Sequence, residues 1–302
     1  MSMAVDQLRG AMRGLGTDEH ALIAILTRYS PAQMIQISQA YKGTFGVSLA
    51  EQIRKETSFK FGATCEALAT PLPEYEALCL EKAMRGMGTN EKLLVEILAG
   101  RSNYELQVIR QAYQAIFHKE LEQAVHSELS GDFRRFMIAL LQGRRDESGQ
   151  ISDVNADIDT LYRAGEGKWG TDEGAFIGIL CTRSYPVLVS IFDGYQRKHN
   201  HTFEKAIEKE FSGHLKHGIL ALVHSARNRA DYIATELEDA MHGLGTNDEK
   251  LIRTLVRHRE PRLMQAVKHA FSQRYGKSLY GRVEGETSGD YRRVVLAIVG
   301  AN

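Results

Sequence analysis

The sequence carries no net charge: Lys+Arg and Asp+Glu stand at 38 each in 302 residues. Overall electrostatics therefore give no reason to expect nucleic acid as a partner, and attraction to anionic lipid must come from local patches or bound ions. Long apolar runs are missing too. The longest, VVLAIVGA near the C-terminus, falls far short of the roughly twenty residues of a spanning helix. The opening MSMAVDQLRG carries Asp6 and lacks the apolar core of a signal peptide. Cysteines are few, Cys65, Cys79 and Cys181, odd in number and without metal-ligand spacing. Buried free thiols in a reducing compartment, by default the cytosol, are the expectation. No segment sustains strand-like alternation. A nucleophile with its base, a paired acid and base, and a haem-ligand signature are all lacking. The eleven histidines are scattered and crowd only in KHNHTF, Lys198 to Phe203, where they read as exposed loop residues. These gaps argue against an enzyme.

What is present is a repeat. With 43% apolar and 25% charged residues the chain can bury a substantial core. RGLGTDEHALIAIL returns as RGMGTNEKLLVEIL, GKWGTDEGAFIGIL and HGLGTNDEKLIRTL. The Gly-x-Gly pairs, or their nearest match, begin at Gly14, Gly86, Lys168 and Gly243, in steps of 72, 82 and 75 residues. Apolar positions follow at helical spacing: Leu22, Ile23, Ile25 and Leu26 in repeat 1, Leu94, Val95, Ile97 and Leu98 in repeat 2, and Phe176, Ile177, Ile179 and Leu180 in repeat 3. Aromatics recur at Tyr41, Tyr113, Tyr195 and Phe271, then pairs at Leu49/Ile53, Leu121/Val125, Phe203/Ile207 and Leu279/Val283. The last repeat runs one residue late from Phe271, so it carries a single earlier insertion. Each repeat reads as about five short helices and the chain as all-α. The boundaries expected are 1–70, 71–142, 157–226 and 227–302, with a polar connector at 143–156.

The loop in front of each apolar helix has a plain structural reading. Glycines let the chain turn with positive φ, the threonine caps the next helix, and the acids suit its first turn. A second regularity adds to this. Counting 39 residues from Thr17, Thr89 and Thr171 reaches Glu56, Glu128 and Glu210, and 40 from Thr246 reaches Glu286. The contexts KETSFKF, SELSGDF, KEFSGHL and GETSGDY match. An acid at fixed distance from a carbonyl-rich loop suits a hard cation such as calcium, which takes six to eight oxygens. Three carbonyls and a two-oxygen carboxylate leave places for water or an outside oxygen. Phosphate binding fits poorly, since the glutamate would repel it and no Gly-Lys-Ser/Thr ending is present. DVNADIDT, Asp153 to Thr160, faintly resembles an EF-hand loop but lacks its glycine and its bidentate acid.

These motifs, in register four times along essentially the whole chain, resemble the annexin family. The resemblance implies an all-α fold of four homologous five-helix repeats, each a right-handed superhelix, arranged as a slightly curved disc with calcium loops on its convex face. It also implies calcium ligands: carbonyls of Met12, Gly14 and Gly16 with Glu56; Met84, Gly86 and Gly88 with Glu128; Gly165, Lys168 and Gly170 with Glu210; and Met241, Gly243 and Gly245 with Glu286. Repeat 1 departs from the pattern. Phe59 stands where the others have Gly131, Gly213 and Gly289, a bulk expected to distort the turn presenting Glu56, and Tyr29 stands where Arg101 and Arg183 occur. Repeat 1 begins within a few residues of Met1, so the family's N-terminal regulatory tail is expected to be nearly absent.

The function implied is calcium-dependent binding to acidic, phosphatidylserine-like membranes, in membrane organisation, trafficking or repair. The protein is expected to be cytoplasmic, peripheral on a calcium rise, and able to self-associate on membranes. Calcium would add positive charge to a neutral chain, and lipid oxygens would complete a weak site, so the two ligands reinforce each other. Arg13, Arg85 and Lys168 could add attraction at an anionic surface, or be ordinary solvated charges. Trp169, the only tryptophan, reads as a membrane-touching ring against the commoner fate of burial. Glu76, Glu96, Arg101 and Arg253 match positions lining a hydrophilic passage in the family, giving an alternative of calcium-regulated ion conduction; buried structural pairs are the plainer reading. A helical-repeat scaffold or cytoskeletal linker remains the other alternative.

Overall fold

The computed structural model describes residues 2–14, 16–150 and 153–301, and among these the only regular structure is helical. Repeat 1 comprises α1 (Ser2–Ala11), α2 (Glu19–Arg28), α3 (Pro31–Phe45), α4 (Leu49–Glu56) and α5 (Phe59–Ala69). Repeat 2 has α6 (Leu72–Met84), α7 (Glu91–Leu98), α8 (Asn103–Phe117), α9 (Leu121–Glu128) and α10 (Gly131–Leu141). Repeat 3 has α11 (Asn155–Ala164), α12 (Glu173–Thr182), α13 (Tyr185–His199), α14 (Phe203–Glu210) and α15 (Gly213–Arg227). Repeat 4 has α16 (Arg229–Met241), α17 (Asp248–Arg257), α18 (Pro261–Tyr275), α19 (Leu279–Glu286) and α20 (Gly289–Val299).

Local chemistry sets these boundaries. Ser30 and Ser102 open the long third helices with full capping boxes, each side chain taking the N3 amide while Gln33 or Glu105 reaches back. The recurring aromatic of that helix, Tyr41, Tyr113, Tyr195 or Phe271, is fully or almost fully buried. So are Leu49/Ile53 and their three counterpart pairs on the short fourth helices. The extra residue of repeat 4 falls between α17 and α18, where His258 and Arg259 precede the cap Glu260; repeat 1 has only Tyr29 before Ser30.

The repeats combine in pairs that do not follow chain order. One compact unit holds residues 1–75 with 230–302, the other holds 76–229. In the first, α2 packs against α20 and α5 against both α17 and α20, and Leu22, Leu26, Cys65 and Leu68 join Leu255, Val294 and Val295 in one core. In the second, α10 and α15 pack against each other and against α12 and α7 respectively. A β-carbon on Gly218 of α15 would lie 2.8 Å from Phe136 Cε1, so the crossing requires glycine there. The connector is tied down as well. Arg145 is buried with its guanidinium 4.3 Å from the Tyr185 ring and donates to the Arg183 carbonyl at 2.6 Å, while Asp146 N–H donates to the Thr182 carbonyl at 2.7 Å. The EF-hand-like segment runs into helix α11, where Asp157 pairs with Arg183 at 2.6 and 2.9 Å. All three cysteines are free, and burial raises the Cys181 thiol to about 12.

Inside the second unit, Arg101 and Glu76 are both buried and hydrogen-bonded to each other. Arg101 also donates to Glu105 at 2.8 Å, and Arg229 donates to the same carboxylate at 2.9 Å. Burial pushes the Glu105 carboxyl up, but the two guanidinium charges and their hydrogen bonds outweigh it and hold it down at about 2. Glu96 is half-buried on α7. Arg253 belongs to the first unit and donates to the Glu249 carbonyl at 3.4 Å. A carboxyl whose folded pKa is depressed binds fewer protons folded than unfolded, so its stabilisation is present above the unfolded value and lost on acidification. The melting temperature should therefore fall as pH drops from 4.5 toward about 2, and Glu105→Gln should flatten that slope; a slope identical in wild type and variant would contradict this account.

Candidate calcium loops

The loop before each second helix is built the same way. The residue after the threonine caps the helix: Asp18 accepts from Ala21 N–H at 2.9 Å, Asn90 from Leu93 at 3.1 Å, Asp172 from Ala175 at 3.1 Å and Asn247 from Lys250 at 3.1 Å. The expectation that the threonine caps is thus corrected. A β-carboxylate or amide at that position reaches the same amides, so the hydroxyl is free to bond elsewhere. The cap residue's own N–H closes the loop onto the last alanine of the preceding helix: Asp18 to Ala11, Asn90 to Ala83, Asp172 to Ala164 and Asn247 to Ala240, at 2.7–2.8 Å. Gly14/Gly16, Gly86/Gly88 and Gly243/Gly245 all adopt φ between 90° and 112°, where a side chain would be strained. Repeat 3 has one more residue between its alanine and its threonine. Only Gly170 there needs positive φ, at 77°, and this is why Lys168 is tolerated.

The freed threonine points at the distant acid. Thr89 Oγ1 donates to Glu128 Oε2 at 3.3 Å, Thr171 to Glu210 Oε2 at 2.7 Å and Thr246 to Glu286 Oε2 at 2.7 Å. In repeat 3 the acid also lies against the start of the loop, since a β-carbon on Gly165 would sit 3.2 Å from Glu210 Oε2. Repeat 1 differs. Thr17 donates to the Glu56 backbone carbonyl at 3.1 Å, and the Glu56 carboxylate accepts from Gln52 at 2.8 Å. Each glutamate is the last residue of an eight-residue helix. A carboxylate at a helix C-terminus opposes the helix dipole, so helix stability gives no reason for four of them; a nearby cation does. The donor set of backbone oxygens plus one carboxylate suits calcium. Among the described residues no group of three or more His, Cys, Asp or Glu could hold a metal, so any such site depends on main-chain oxygen.

Met12, Met84 and Met241 bury their side chains, and Gly165 is buried and has none, so what these residues can offer a ligand is backbone. Arg13, Arg85 and Lys168 are exposed. Trp169, between Lys168 and Gly170, is fully exposed, and so are Met87 and Leu244, which hold the corresponding position between the loop glycines of repeats 2 and 4. Sequence reasoning singled out only the tryptophan; the shared register of the middle residue was the available signal. It also missed Glu166. This loop acid accepts from Tyr195 Oη at 2.7 Å and Lys209 Nζ at 3.3 Å, and His201 Nε2 lies 2.7 Å from it. Burial pushes the Glu166 carboxyl up, and these three neighbours together bring it below the usual range. The histidines of KHNHTF are therefore not exposed loop residues. His201 helps hold the repeat 3 loop, and His199 stacks on Tyr162 with ring centroids 4.1 Å apart.

Such a set of helical repeats, each hydrogen-bonding the threonine of a glycine loop to a remote glutamate, defines a class of four-repeat all-α proteins. The sequence pattern of the annexin family matches residues 3–68, 75–140, 156–222 and 232–298, and the chain belongs to that family. It is 41% identical to annexin A4 of Homo sapiens over 297 residues, covering 98% of this chain and 93% of that one. The structure of annexin III aligns with a TM-score of 0.95 and 38% identity, covering 100% of this chain and 94% of the other. A calcium-bound annexin (Sm)1 aligns with a TM-score of 0.89 and 30% identity, over 99% and 90%. Annexins bind calcium and, in a calcium-dependent way, phospholipid; no catalytic activity marks the family in general. No helix among the described residues is long and apolar enough to cross a membrane.

Phe59 keeps the turn that bulk was expected to distort. Its φ of 54° matches the 59°, 59° and 60° of Gly131, Gly213 and Gly289, so the side chain is carried in a left-handed backbone while 92% exposed. Replacing it removes strain and little packing. Phe59→Gly should stabilise the chain by about 1 kcal/mol, read from the denaturant midpoint at unchanged m-value; destabilisation would show that the ring makes contacts that matter.

Proposed function

We propose that this chain docks on acidic phospholipid membranes through calcium held in its four glycine loops, with phosphatidylserine-like headgroups completing each coordination shell. The observation that carries this reading is the hydroxyl bridge from loop threonine to the fourth-helix glutamate across 39 or 40 residues, made to the carboxylate in repeats 2, 3 and 4. In those three repeats it brings the one carboxylate of the site to the loop whose glycines leave carbonyls uncovered. The ligands are Met12, Gly14, Gly16 and Glu56 in repeat 1 and Met84, Gly86, Gly88 and Glu128 in repeat 2. Repeat 3 uses Gly165, Lys168, Gly170 and Glu210, and repeat 4 uses Met241, Gly243, Gly245 and Glu286.

Each calcium adds two positive charges to a chain whose own charges cancel, so the loops become attractive to anionic lipid only when loaded. A site with one carboxylate binds calcium loosely on its own. Lipid oxygen fills the open places, and by linkage calcium and membrane tighten each other's binding. Arg13, Arg85 and Lys168 meet headgroups. Trp169, Met87 and Leu244 enter the interfacial layer, where an aromatic ring is favoured. The role that follows is recruitment to the cytoplasmic face of membranes on a calcium rise, for membrane organisation, trafficking or repair, with self-association on the surface.

Cosedimentation with phosphatidylserine vesicles should require calcium. Changing Glu56, Glu128, Glu210 and Glu286 together to Gln should raise the calcium needed by at least about tenfold, the loss of a charged ligand per site. Pelleting of that variant at wild-type calcium would refute the reading. Trp169 emission, starting from a solvated ring, should move to the blue when calcium and anionic vesicles are both present, and an unmoved spectrum would remove the ring from the interface.

A further inference from the structure

The four fourth helices differ at one position that faces the glutamate. Four residues before it, on the same helical face, stand Gln52, Ala124, Ala206 and Arg282. Repeat 4 therefore alone places a cation there. Arg282 Nη1 donates to Glu286 Oε1 and Nη2 donates to the Met241 carbonyl. Nε donates to Glu238 Oε2 at 3.1 Å, and Glu238 lies one turn before Met241 on α16. The guanidinium is enclosed, with its side chain only 16% exposed. Two of its three contacts are oxygens assigned above to calcium in repeat 4.

We propose that Arg282 is a resident counter-ion of the fourth loop, which calcium must displace before that loop can load. The inference rests on reading the loops as calcium sites. A guanidinium and a divalent ion cannot share the Met241 carbonyl and the Glu286 carboxylate, because their charges repel at contact distance and both compete for the same lone pairs. Glu238 gives the displaced side chain somewhere to go: the Nε contact can persist while the two Nη groups swing off, and Thr246 keeps hold of Glu286 Oε2. Repeats 2 and 3, with Ala124 and Ala206 buried at this position, have no such cation to expel. The consequence is a graded chain. The loops of repeats 2 and 3 fill at lower calcium, and the fourth joins only at higher calcium or when lipid adds its own oxygens.

The test isolates that loop. In a chain carrying Glu56→Gln, Glu128→Gln and Glu210→Gln, calcium is titrated calorimetrically with phosphatidylserine vesicles, before and after adding Arg282→Met. Removing the arginine should tighten the remaining site by about tenfold or more, the worth of a charge-assisted hydrogen bond lost by the competitor. Arg282→Gln, which keeps a polar stem beside Glu238, should act in the same direction and guards against a folding defect in the methionine variant. Unchanged or weaker binding in both folded variants would overturn the proposal, because the arginine would then be inert or a support. If the unsubstituted chain itself takes up no calcium, the reading of the loops fails as well, which is a separate result. Crystals grown with chelator and with saturating calcium provide the second readout: the guanidinium should leave Met241 and Glu286 on loading, and its staying in place beside a bound ion would equally refute the idea.

Discussion

A single side-chain choice organises the loops: a threonine hydroxyl spends its hydrogen bond on an acid or carbonyl two helices further along the chain instead of on its own helix. That choice is open only because the next residue, Asp18, Asn90, Asp172 or Asn247, already caps the helix. The capping amide is satisfied locally, and the hydroxyl is left to orient a charge placed against the helix dipole. Everything else around the loop serves to hold that geometry. The cap residue's N–H pins the loop to the preceding alanine, and the buried Leu49/Ile53 pair and its counterparts anchor the short helix that carries the acid. The loop is exposed, yet both ends are fixed by burial.

The four copies have drifted in ways that change the electrostatics around the acid, and in repeat 3 the loop backbone as well. In repeat 1 the carboxylate is held by Gln52 and a phenylalanine is forced into a glycine conformation. In repeat 3 the loop is longer by one residue and is braced by Glu166 with Tyr195, His201 and Lys209. In repeat 4 an arginine sits on the acid, and the Thr246 hydroxyl and that guanidinium together hold the Glu286 carboxyl below its usual range. In repeat 2 the Glu128 carboxylate accepts from the shared threonine. The four loops are thus four different electrostatic environments.

Much of this was legible in the sequence, for identifiable reasons. Helix number and the buried positions came from periodicity, because a face that packs must repeat its apolar residues. The acids came from a nearly constant count from the threonines, 39 in three repeats and 40 in the fourth, whose extra residue lies between helices and leaves their lengths unchanged. What stayed hidden involved choices between neighbouring polar groups. Nothing in the letters Thr-Asp says which of the two caps, and nothing in KHNHTF says that His201 turns toward Glu166. Arg282 could have been seen by aligning the fourth helices, but its significance needed the Met241 carbonyl, a backbone atom with no signature in sequence. The pairing of repeats was hidden too, since all four carry similar apolar faces and the pattern alone does not say which will meet.

That pairing has a consequence for biosynthesis. The unit spanning residues 76–229 is contiguous, whereas the other joins residues 1–75 to 230–302. Repeat 1 leaves the ribosome before repeat 4, so the faces of α2 and α5 that meet α20 stay uncovered until repeat 4 has been translated. The middle pair, contiguous in the chain, can close in the meantime. A chain cut off before repeat 4 would keep that middle pair and leave repeat 1 without its partner, so nascent-chain quality control would meet one orphaned repeat rather than a uniformly unfolded polypeptide.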